Sequence, residues 1–127
     1  MVVCQVYMML KKVVRIGRLY DIYSCLLTNK QANFIDLYYN HDLSLGEIAQ
    51  NHKITRQSVY DTIKKSEALL ENYEKKLKLY KKSKLKENLC RKCLEKIEAI
   101  NKSERIPYEV RKHLEDIYKL VKELEDL

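Results

Sequence analysis

Between Thr55 and Pro107 the chain contains neither glycine nor proline, and its 127 residues hold only two glycines and one proline. Tight β-turns lean on those residues, and what remains is dominated by helix-favouring side chains. An all-α fold is expected. The length suffices for one small domain with a helical appendage and a modest core.

Hydrophobic spacing divides this helical material. From Val13 to Leu27, the residues Ile16, Leu19, Tyr20, Tyr23 and Leu27 recur at three- and four-residue steps, the pattern of one buried helical face. Thr28 suits the N-cap of a second helix running to about Asn40, with Phe34, Ile35, Leu37 and Tyr38 as its apolar stripe. Ser44 followed by Glu47 reads as a capping box, opening a short third helix from Leu45 to about His52 with Leu45, Ile48 and Ala49 inward. Thr55 caps a fourth helix, whose seam of Val59, Ile63, Ser66, Leu70, Tyr73, Leu77 and Tyr80 continues for many turns. The seam then moves to Leu85, Leu89, Cys93, Ile97 and Ile100, so a break is expected around Lys81 to Lys86. Pro107 fits the first turn of a last helix, in which Val110, Leu114, Ile117, Val121 and Leu124 form a short heptad stretch.

The expected organisation is a domain over 12–80 with a long fourth helix, then a C-terminal helical extension over 81–127. The extension would form a hairpin, a coiled-coil-like dimerisation element, or both. Leu70, Tyr73, Leu77, Leu114, Ile117, Val121 and Leu124 are the expected dimer seam, with a closed monomeric bundle as the alternative. Residues 1–11 are expected to be a non-native or disordered extension, with translation beginning at Met8 or Met9. The apolar start "MVVCQVYMML" is about half the ~20 residues that span a bilayer, and its lysines follow the apolar run, unlike those of a signal peptide.

Positive charge is concentrated. Residues 64 to 96 carry twelve Lys or Arg and five Glu, which accounts for the whole formal charge of +7. Such a field recruits polyanions without specifying which. The cysteines Cys4, Cys25, Cys90 and Cys93 include one close pair, but the histidines His41, His52 and His113 stand alone in other segments, so no metal or cofactor is expected. Reduced thiols in a cytoplasmic protein are the simpler reading.

The stretch 43–67, "LSLGEIAQNHKITRQSVYDTIKKSE", reads as a helix-turn-helix. Ala49 is the small residue over which a second helix can cross, and Ile54 fills the corner after the turn. The second helix would present Thr55, Arg56, Gln57, Ser58, Tyr60, Lys64 and Lys65. Arg and Gln match guanine and adenine edges, while the lysines suit phosphates. Two features run the other way: Lys53 occupies the place of a frequent turn glycine, and Asp61 and Glu67 bring negative charge near the face. A trihelical packing unit without a ligand is the alternative.

Residues 19 to 79 closely resemble the bacterial YlxM family of small proteins, specifically in "LT.KQ", "LYY..DLSLGEIA" and "TRQSVYD.IK..E". Residues 28 to 70 more loosely resemble the fourth region of sigma factors, which reads promoter DNA through a helix-turn-helix. The YlxM resemblance implies an all-helical, dimeric protein whose gene lies beside those for signal recognition particle components.

Two functions follow. One is a regulatory DNA-binding protein, its dimer placing two recognition helices on successive half-sites. The other is an adaptor of the signal recognition particle, whose Lys75, Lys76, Lys78, Lys81 and Lys82 grip the particle's RNA or meet its protein subunit; a solvated helix face is the plainer reading of those lysines. An enzyme is not expected, since there is no glycine-rich phosphate loop and no paired metal-ligand motif. Membrane-surface binding is weaker still, because the Lys-rich face lacks Trp or Phe anchors.

Overall fold

A computed structural model describes all 127 residues as six α-helices and no strands. They are α1 (Val2–Tyr23), α2 (Asn29–Ile35), α3 (Leu45–His52), α4 (Arg56–Leu77), α5 (Leu79–Asn101) and α6 (Tyr108–Asp126). A 3-10 turn over Ser24–Leu26 follows α1, and a π-helical turn over Asp36–Asn40 extends α2. The chain divides into two compact units, Met1–Tyr80 and Lys81–Leu127.

The first unit is built on caps. Thr28 Oγ1 accepts from Gln31 N–H while the Gln31 side chain accepts from Thr28 N–H, a reciprocal capping box at the start of α2. Ser44 differs from expectation. Its Oγ accepts from Glu47 N–H, but its hydroxyl donates to the Glu47 carboxylate, so only half of the expected box forms. Thr55 Oγ1 accepts from Ser58 N–H to open α4.

These helices enclose one apolar core. Ile16, Leu19 and Tyr23 of α1 meet Leu27, Phe34 and Ile35, then Ile48 and Ala49 of α3, and Val59, Ile63 and Leu70 of α4. Tyr20, Leu37 and Leu45, expected inward, are only partly buried, and Tyr38 is exposed. Of the first eleven residues, expected as a non-native or disordered extension, Met1 precedes α1 and 2–11 form its N-terminal half with exposed side chains. The break expected around Lys81 to Lys86 falls instead at Lys78, whose backbone is left-handed (φ 56°, ψ 30°). Its N–H returns to the Glu74 carbonyl at 2.8 Å, closing α4.

The α4–α5 junction is capped from a distance. Leu79 N–H donates to Tyr23 Oη at 3.1 Å, and Tyr80 N–H donates to Glu74 Oε2 at 3.1 Å. The Tyr23 hydroxyl donates to the same Glu74 oxygen at 3.2 Å. The first two amides of α5, which no helical carbonyl can accept, thus end on side chains of α1 and α4. Burial pushes the Tyr23 phenol up, opposed by the Leu79 N–H and reinforced by Glu74.

In the second unit, the Arg111 guanidinium donates to the carbonyls of Asn101 and Ser103, fastening the start of α6 to the turn before it. The buried residues of α5 are Cys90, Leu94 and Ile97, whereas Leu85, Leu89 and Ile100 of the expected seam are exposed. Of the expected seam only Ile97 is buried; Cys90 and Leu94 each lie one residue on from the expected Leu89 and Cys93. On α6, Leu114, Tyr118 and Val121 are half-buried, and Val110, Ile117 and Leu124 are exposed.

Candidate nucleic-acid interface

The connection between α3 and α4 is set by backbone hydrogen bonds. Lys53 is left-handed (φ 55°, ψ 43°); its N–H donates to the Gln50 carbonyl and Ile54 N–H to the Ala49 carbonyl at 3.1 Å. This pair is a Schellman motif, which satisfies carbonyls a helix end leaves open. A lysine there costs about 1 kcal/mol relative to glycine. Ile54 packs on the core beside Ala49, and Thr55 starts α4 at once.

His52, the last residue of α3, is held from two sides. Its Nδ1 lies 3.0 Å from the Ile48 carbonyl and its Nε2 lies 3.3 Å from Asn33 Nδ2. A ring protonated on Nδ1 satisfies both contacts, donating to the carbonyl and accepting from the amide. The ring meets Phe34 edge-on, with centroids 4.9 Å apart.

From that turn α4 projects Arg56, Gln57, Tyr60 and Lys64 along one exposed face. Arg56 has no acidic partner. Gln57 Nε2 donates to Asp61 Oδ1 at 3.0 Å, which engages the acid that stood against the face. Lys64 Nζ lies 5.5 Å from the centroid of the Tyr60 ring. The Thr55 hydroxyl caps α4 by accepting from the Ser58 backbone N–H, and Thr62 donates its hydroxyl to the Ser58 carbonyl. Lys65 is not part of this face: it borders a shallow groove with Gln31, Ala68, Leu69 and Asn72, on the side toward α2.

Glu67, the other acid near the face, is only 8 % exposed. Lys12 Nζ and Lys64 Nζ approach its Oε2 at 3.2 and 3.3 Å, and the Tyr39 hydroxyl donates to its Oε1. Burial pushes the Tyr39 phenol up, and Glu67 adds to it. One step along the same helices, Arg15 makes a bidentate pair with Glu71 at 2.7 and 2.8 Å, which holds the Glu71 carboxyl below its usual range. Spacing could not mark Lys12, Tyr39 or Glu67 as one cluster, because they come from three separate segments.

The expected dimer seam needs correction in its first part. Leu70 is 0 % exposed, enclosed in the core of its own chain. Tyr73 packs on that core, with its ring 6.0 Å from that of Tyr23 and its hydroxyl donating to the Leu26 carbonyl. Leu70 is not available to a partner, and Tyr73 is partly committed to its own chain. Leu77, Ile117 and Leu124 are exposed, and Leu114 and Val121 are half-buried. The basic stretch is also interrupted. Lys75 and Lys76 sit in the last turn of α4, where cations suit the helix end; Lys78 makes the left-handed cap, and Lys81 and Lys82 lie on α5. All five are exposed. No helix is long and apolar enough to cross a membrane.

A short α3 closed by a Schellman turn and followed at once by a capped α4, packed together over α1 and α2, is a helix-turn-helix. Residues 10–110 match the family model UPF0122, described as "Putative helix-turn-helix protein, YlxM / p13 like". The chain belongs to this family. It is 43 % identical over 121 residues to a UPF0122 protein of Geobacillus sp. (strain WCH70), covering 94 % of this chain and 99 % of that protein. It is 45 % identical over 119 residues to one from Anoxybacillus flavithermus, with 94 % and 99 % covered. With one from Bacillus pumilus it shares 50 % over 88 residues, covering 69 % of this chain and 80 % of that protein. The family's description rests on a helix-turn-helix and names no catalytic activity.

Proposed function

We propose that this chain is a non-enzymatic, cytoplasmic regulatory protein that binds duplex DNA through the exposed face of α4. The observation carrying the reading is the unpaired Arg56 beside Gln57, at the capped start of α4 and on the side of that helix turned away from the core. Bidentate Arg and Gln contacts discriminate bases, whereas lysines flanking such a helix supply affinity of no particular sequence. Arg56→Ala is expected to relax sequence preference and cost about 1–3 kcal/mol at the preferred site. Lys81→Ala combined with Lys82→Ala should weaken binding equally for all sequences and flatten its salt dependence. Titration of the full chain against duplex DNA and signal recognition particle RNA, at two salt concentrations, checks both. Uniform effects of all three substitutions across sequences would sink base reading.

A second reading is favoured by the exposure of Lys75, Lys76, Lys78, Lys81 and Lys82. It makes the chain an adaptor that holds signal recognition particle RNA by phosphate contacts, with its helix-turn-helix as architecture; binding of that RNA unaffected by Arg56→Ala would favour it.

The protein in this reading acts as a homodimer joined through its second unit. Leu85, Leu89, Cys93, Val121 and Leu124 line an apolar groove of about 300 Å3 between α5 and α6, and Ile117 continues it. Sedimentation equilibrium is expected to give twice the 15.2 kDa of one chain. Ile117→Glu with Leu124→Glu should return it to the monomer mass, because burying two carboxylates in an apolar contact is costly. A wild-type chain sedimenting at 15.2 kDa overturns the dimer.

A further inference from the structure

We infer that Lys12 of α1 belongs to the nucleic-acid interface, where it and Lys64 of α4 form a two-ammonium clamp on one backbone phosphate; this rests on the nucleic-acid reading above. Lys12 and Lys64 approach the same oxygen of Glu67 at 3.2 and 3.3 Å, so their nitrogens are no farther apart than those two distances together. The carboxylate lies beneath them, nearly buried, and its second oxygen is taken by the Tyr39 hydroxyl. Both lysine side chains remain about half exposed, at 52 % and 44 %.

The local charge does not balance. Two cations share one anion, leaving a surplus positive charge turned to solvent. Each ammonium has three N–H donors, and Glu67 engages one from each lysine, so two on each stay open. A phosphate offers several acceptor oxygens of the complementary charge and can meet donors from both nitrogens.

A purely structural role accounts for the arrangement less well. The tie between α1 and α4 is already made by the bidentate Arg15–Glu71 pair. Lys64 and the Tyr39 hydroxyl already meet the nearly buried Glu67 carboxylate, so Lys12 is a second cation there, and it sets two like charges side by side. That proximity becomes favourable when another anion arrives. The place is apt for one: Lys64 stands two turns beyond Arg56 on the same face of α4, where a docked helix would leave the base edges and meet the backbone.

The test is the salt dependence of duplex binding by the full chain, for wild type, Lys12→Ala, Lys12→Arg, Lys64→Ala and Arg56→Ala. Each phosphate that the protein no longer neutralises lowers the slope of log affinity against log salt by about 0.9. Lys12→Ala leaves Lys64 and Glu67 as a neutral pair with no surplus charge for the phosphate, so it is expected to reduce the slope by about that much, with equal weakening for every sequence, an unchanged melting temperature and a slope restored by Lys12→Arg. A structural tie would instead shift the melting temperature and leave the slope alone. If Arg56→Ala and Lys64→Ala weaken binding while Lys12→Ala keeps the wild-type affinity and slope, the clamp is wrong and the interface stands. If the wild-type chain binds neither duplex DNA nor RNA, the nucleic-acid reading fails and the clamp with it.

Discussion

Replacing Glu74 by alanine is expected to lower the unfolding free energy by about 3 kcal/mol or more, although Glu74 is a glutamate in the last turns of a helix where surface substitutions usually cost little. Its side chain is only 7 % exposed. Its Oε2 accepts both the Tyr23 hydroxyl and the Tyr80 N–H, and hydrogen bonds to a charged group are worth about 1.5–3 kcal/mol each. Removing the carboxylate leaves both donors without that acceptor in a part-buried site. Glu74→Gln keeps an oxygen in the same place and should cost less. Tyr23→Phe should cost about 1–3 kcal/mol, because the ring still fills the core while Leu79 N–H loses its acceptor. Urea midpoints rank the three variants, and hydrogen exchange at the Leu79 and Tyr80 amides localises the effect. A Glu74→Ala midpoint indistinguishable from wild type would show that water takes over both bonds.

Glu74 also shows what sequence pattern leaves hidden. Helix starts are legible because their chemistry is local: Thr28, Ser44 and Thr55 accept from an amide three residues ahead, and Pro107 immediately precedes α6. Ile16, Leu19 and Tyr23 of α1 and Ile48 and Ala49 of α3 follow from spacing alone for the same reason. The end of α4 is not legible. Nothing near Lys78 marks a left-handed residue, and the side chains that accept the next amides come from Tyr23, more than fifty residues earlier, and from Glu74, which reads as a solvated charge. Glu67 reads as exposed negative charge for a related reason, since its partners Lys12 and Tyr39 lie in other helical segments. Periodicity also identifies an apolar face without saying what covers it. Leu70 and Leu124 both fit a seam, yet one is sealed in its own chain's core and the other is open.

Phe34→Ala is expected to cost about 3–5 kcal/mol, the usual range for emptying a phenylalanine site, against about 5–15 kcal/mol for a whole domain. Phe34 is the one phenylalanine in the chain, and it is 0 % exposed at the centre of the first unit. The ring also supports the turn before α4. Its edge-on contact fixes the His52 imidazole, which reaches the Ile48 carbonyl, and the next residue is the left-handed Lys53. The cavity therefore opens beside the element that aims Arg56. Amides of Lys53 and Ile54 should lose exchange protection beyond the global loss of stability, and duplex binding should fall with the folded fraction even though no residue of the exposed face has changed. Phe34→Leu keeps apolar volume but no aromatic edge for His52. It should recover most of the stability while leaving the turn amides exchanging fast, which separates the filling of the core from the support of the turn. Equal protection at Lys53 and Ile54 in Phe34→Leu and wild type would mean that the backbone hydrogen bonds to Ala49 and Gln50 hold the turn by themselves.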